Sequence, residues 1–217
     1  MAPGIAHITR WEGAPHGQAG VACVSCHRGD ATAADAAIAH TGVLASDDLQ
    51  SPLHPIALPA TCGACHAPQL QAFRMSAHSR ALQQGIGYGP VCTTCHGSAD
   101  AVRVVPATVA TTCNRCHQPD GVAPEGDRPA RARAFLDALQ DVRANLDAAT
   151  RLGASRPFTA AQQGQVETLR RQAQASLNQL EGRVHAFTGF DAGAAGVADA
   201  RTRVAALLDY VISAPLP

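Results

Sequence analysis

Lysine is absent from the 217 residues, so all seventeen positive charges are arginine. They balance seventeen acidic residues to a formal net charge of zero, which excludes a strongly basic nucleic-acid binder. Aromatic residues are scarce at 4%, although hydrophobic residues reach 46% because alanine is frequent. Much of the apolar bulk of a core must therefore come from something other than these side chains. No apolar run is long enough to cross a bilayer. The opening MAPGIAHITRWEG lacks the charged and apolar regions of a secretory leader, and VAALLDYVISAPLP at the other end reads as a helix closed by proline.

What is present is concentrated in one pattern. All eight cysteines fall into four copies of C-x-x-C-H: Cys23, Cys26 and His27; Cys62, Cys65 and His66; Cys92, Cys95 and His96; Cys113, Cys116 and His117. Two cysteines at this spacing add across both vinyl groups of one haem, and a histidine directly after them ligates the iron from the same side. Disulfides, zinc sites and thioredoxin-like redox sites also use C-x-x-C pairs, but none needs histidine next. With ten histidines in the chain, its chance occurrence after all four pairs is on the order of one in 10⁵. The expectation is four haem c groups, eight covalent cysteines and four proximal iron ligands. Haem also supplies the missing apolar bulk.

The motifs occupy residues 23 to 117, roughly 24 residues each, too little chain to wrap each cofactor separately. The haems are thus expected to pack on one another, and a crowded row of irons is a path for electrons. Ionised propionates add roughly two negative charges per haem, which favours a positively charged redox partner. Haem attachment of this kind implies a periplasmic or extracellular location, with the leader removed before the numbering begins or Met1 not native.

Six histidines lie outside the motifs: His7, His16, His40, His54, His78 and His185. Four irons need at most four more axial ligands. Met1 is terminal, which leaves Met75 as the one credible thioether, so bis-histidine coordination is the economical reading and implies low-spin haems. The alternative for each histidine is a surface or hydrogen-bonded side chain. Trp11 precedes His16 and Phe73 precedes His78 by five positions, each ahead of a motif, while Pro59-Ala-Thr and Ala110-Thr-Thr introduce the second and fourth. The chain thus carries a loose internal repeat of two haems.

This arrangement resembles the multihaem cytochrome c superfamily, which includes the tetrahaem electron carriers of ammonia oxidisers, pentahaem nitrite reductase and octahaem hydroxylamine oxidoreductase. The likeness covers residues 7 to 117 and extends weakly into the later helices. It implies that His78 in SAH and His16 in APH are distal ligands. Many relatives place a distal histidine shortly after the motif, whereas here the chain runs on as CHRGD and CHGSAD, so that His54 or His40 is left to fill the role, with His54 favoured.

From Asp127 the composition changes to alanine, arginine, glutamine and leucine without cysteine, placing a boundary between a tetrahaem domain, 1–126, and a helical domain, 127–217. Phe135, Leu139, Val142, Leu146 and Ala149 mark one face of a helix from Pro129 to Gly153. A second opens with the capping box Thr159-x-x-Gln162 and carries Val166, Leu169, Ala173, Leu177, Leu180, Val184 and Phe187. A third holds Val197, Val204, Leu207, Leu208 and Val211. The expected fold is mainly α, a loop-rich haem domain with few short helices followed by a long antiparallel hairpin and a third helix. On the returning helix, His185 is either a distal ligand or a surface histidine that favours the helix dipole.

Three functions fit these residues. The first is an electron carrier whose distal histidines close every iron, with no catalytic residue. The second is an oxidoreductase acting at one open haem, although nitrite reductases of the resembling class use a lysine ligand that this chain lacks, and the hydroxylamine-oxidising relatives use a cross-linked tyrosine, for which only Tyr88 and Tyr210 are available. The third is a filament of neighbouring copies, with His7 as the natural ligand donor to the next.

Overall fold

The computed structural model describes residues 3–85, 89–97, 104–124, 126–188, 190, 193–215 and 217, with the side chains of 3–7, 193 and 194 outside the description. Helix is the only regular secondary structure among them. The chain divides into two compact units, Met1–Thr112 and Cys113–Pro217.

Short helices joined by loops make up the first unit: α1 (Pro3–Gly13), α2 (Pro15–Gln18), α3 (Val24–His27), α4 (Ala36–Ala39), α5 (Leu58–Gly63), α6 (Ala67–Arg74), α7 (Ala77–Gln83) and α8 (Cys92–His96). Helix α9 (Pro106–His117) contains the division. Local chemistry starts and stops these pieces. Asp35 caps α4 by accepting from the amides of Ala37 and Ile38, and Ser76 caps α7 by accepting from Ser79 at 3.0 Å. Proline in the first turn opens α2, α5 and α6.

Protein side chains give this unit little core. Among its described residues, the buried hydrophobic ones are Ala14, Leu58, Phe73, Leu82 and Val109, whereas Ile8, Ile38, Leu49, Ile56, Met75 and Val105 are exposed, Leu49 at 78%.

The second unit has a core of its own. Helices α10 (Arg128–Ser155), α11 (Ala160–Ala186) and α12 (Gly193–Ser213) bury Phe135, Leu139, Val142, Leu146 and Ala149 against Ala173, Leu177 and Leu180 and against Val197, Ala200, Val204, Leu207 and Val211. Arg143 pairs with Glu181, and an added Cβ on Gly153 would touch Val166, so α10 and α11 run antiparallel. Ser176 bonds Asp199 and Gln162 bonds the Pro215 carbonyl, which makes α11 and α12 antiparallel as well. The capping box closes as expected, with Thr159 N–H donating to Gln162 at 2.8 Å and Gln162 N–H to the Thr159 hydroxyl at 3.3 Å. One expectation needs correction: Phe187 is not on the α11 stripe. It is the C-cap residue at φ 54°, and its left-handed backbone ends the helix.

Candidate haem-attachment site

Each motif is wound as a turn of helix. In the first, the His27 amide donates to the Cys23 carbonyl at 2.9 Å, and in the second the His66 amide donates to Cys62 at 2.9 Å. The third forms α8 and the fourth closes α9. This winding is what the chemistry requires, because positions i, i+3 and i+4 share one helical face, so both sulfurs and the imidazole are presented together.

The backbone leaves two of these turns in the same way. After His27, Arg28 has φ 64° and ψ −157°; after His96, Gly97 has φ 78° and ψ −178°. That region is nearly exclusive to glycine. The second motif instead continues through His66 into α6, and Gly63 is required where α5 meets α6 because an added Cβ would run into the Leu70 side chain.

Within the first unit the motifs lie close together. The Cys62 and Cys92 side chains are neighbours, and their mutual interaction holds Cys62 above and Cys92 below the ordinary thiol value. Burial raises Cys26, with further contributions from the neighbouring charges of Cys62, Cys65 and Cys23. The second motif thus neighbours both the first and the third. Cys113, in the other unit, is raised by burial.

The remaining histidines are placed as follows. His16, half-buried in α2, faces His66 with ring centroids 6.0 Å apart and planes inclined at 54°. His40 Nδ1 donates to the Ala36 carbonyl at 2.7 Å, and His185 Nδ1, in the last turn of α11, donates to Glu181 at 2.7 Å. Both bonds place the ring proton on Nδ1. His54 Nδ1 accepts from the Ile56 amide at 3.3 Å. His117 Nδ1 donates to the Ala123 carbonyl at 2.8 Å, which fixes the ring's orientation and tautomer. His78 is half-buried on α7. His7 belongs to α1, but its side chain lies outside the described residues, as does Tyr88.

Haem fits these residues. Each motif presents two thiols and an imidazole on one face, and the unit that holds three of them buries few apolar side chains among its described residues. When bound, haem c supplies a one-electron iron couple. The cysteine pairs would hold it covalently, and the histidine after each pair would ligate its iron.

Such a set of attachment turns defines a multihaem c-type site. Residues 49–118 match the family described as cytochrome c7 and related cytochrome c. The matched segment contains the second, third and fourth motifs and supports a multihaem c-type cytochrome that transfers electrons. No curated protein and no solved structure matches the chain. No described helix is long and apolar enough to cross a membrane.

Proposed function

We propose that this chain is a tetrahaem c-type cytochrome of the periplasm or cell exterior, carrying electrons through four covalently bound, mostly bis-histidine haems. The observation that carries the reading is the recurrence of one attachment turn four times within residues 23–117, using every cysteine. Residues 1–126 act as the haem domain and 127–217 as its helical companion. His27, His66, His96 and His117 are the proximal ligands, and distal ligands come from His16, His78, His185, His54, His40 and His7. His54 is favoured over His40 by its place before the second motif, while the Nδ1 of His40, donating to Ala36, supports His40 as the alternative. Redox proteins with a positive docking face are the expected partners, since propionates leave the holoprotein more acidic than its sequence.

The deciding experiment is an electron paramagnetic resonance spectrum of the oxidised holoprotein, with spin quantified against total iron and particle size measured alongside. Low-spin signals accounting for all iron in a discrete particle are expected. A high-spin iron that shifts on adding nitrite, hydroxylamine or cyanide would replace the carrier with an oxidoreductase. Low-spin signals in a polymer would make it a filament subunit.

A further inference from the structure

The chain places His16 seven positions before the first motif, which makes the first haem its nearest partner in sequence. In the fold its ring meets a different one. The centroids of His16 and His66 are 6.0 Å apart. An iron–nitrogen bond of roughly 2 Å and an imidazole centroid roughly 1 Å beyond its nitrogen put two trans imidazoles about 6 Å apart, centroid to centroid. The 54° inclination excludes face-to-face stacking of the rings but suits trans ligands, whose planes turn freely about the metal axis.

The backbone around His16 is built tightly. Ala14 is buried, the Val21 amide donates to the His16 carbonyl at 2.9 Å, and an added Cβ on Gly17 would collide with the Trp11 carbonyl. The corner between α1 and α2 thus fixes where the imidazole emerges. His66 is held just as locally, at the junction of α5 and α6.

Resting on the tetrahaem reading, we infer that His16 is the distal ligand of the second haem, the one carried by Cys62 and Cys65, and shares its iron with His66. The N-terminal helices therefore serve the second haem and not the adjacent first, whose distal ligand comes from elsewhere in the chain. The second haem, already beside the first and third motifs, becomes the hub of the N-terminal unit.

The test uses the holoprotein. A pyridine haemochrome assay of the unaltered protein counts covalent haem, and an absence of haem overturns the tetrahaem reading itself and this assignment with it. Given four haems, His16→Ala should keep all of them while about one quarter of the iron turns high-spin and returns to low-spin with added imidazole. In a Cys62→Ala, Cys65→Ala background lacking the second haem, His16→Ala should create no high-spin iron. Low-spin iron throughout in His16→Ala, or a high-spin iron that persists in the three-haem background, overturns the assignment while leaving the haem count intact. Should the three-haem variant fail to fold, the unaltered holoprotein decides by proton NMR. Cross-relaxation between the His16 ring and the thioether side of the haem bound to Cys62 and Cys65 is expected, and its absence, with His16 signals seen at another haem, overturns the assignment.

Discussion

Arg28 follows His27 in a backbone region at φ 64° that the equivalent Gly97 occupies without a side chain. The cost of such a conformation for a residue with a Cβ is about 1–3 kcal/mol. Arg28→Gly is accordingly expected to raise the stability of the holoprotein by about 1 kcal/mol, read as a shifted denaturant midpoint at unchanged haem content. A second residue-scale prediction concerns acid. Hydrogen bonds from Arg203 and from buried Ser176 hold the Asp199 carboxyl below its usual range. Because the folded value is the lower one, the contribution to stability is present above the unfolded value and fades as pH falls through the folded one. Denaturant melts of the protein should weaken below about pH 4, and Asp199→Asn should flatten that limb. At this scale the sequence was informative wherever chemistry imposes spacing, as in the eight cysteines and the Thr159 cap. It was silent on Arg28, because nothing local marks a non-glycine residue forced into a left-handed turn.

Among the elements, α10 and α12 were legible because burial at steps of three and four survives in the choice of side chain, from Phe135 to Ala149 and from Val197 to Val211. Leu207 is fully buried there, so Leu207→Ala should destabilise the bundle by about 2–5 kcal/mol in a chemical melt followed by helical circular dichroism. The reading of α11 failed only at Phe187, where continuing the stripe missed a helix end set by backbone conformation. Helices α1 and α2 carry weaker signals, being too short for periodicity to register, and their role depends on the corner between them. Gly17→Ala forces a Cβ onto Trp11, whereas Gly13 has open space beside it. The first substitution should produce high-spin iron at unchanged haem loading, and Gly13→Ala should leave the spectrum as it was.

At the scale of the whole molecule the two units are stabilised by different means. The second has a cluster of buried aliphatic side chains, and the first has few. A fragment of residues 127–217 is therefore expected to unfold cooperatively without haem, while residues 1–126 expressed without haem attachment should show no cooperative transition. The placement of the motifs relative to one another was not legible in the sequence, since the pairing of thiols Cys62 and Cys92, and of rings His16 and His66, depends on contacts between segments far apart along the chain.

The facing of His16 and His66 also bears on the unfolded protein. If one iron holds both, the bond to His16 is a removable crosslink that closes a loop of roughly 50 residues, and a crosslink of that span takes about 4 kcal/mol of conformational entropy from the unfolded chain. Replacing His16 would then open that loop without detaching the haem, turning a ring of chain back into an open N-terminal tether.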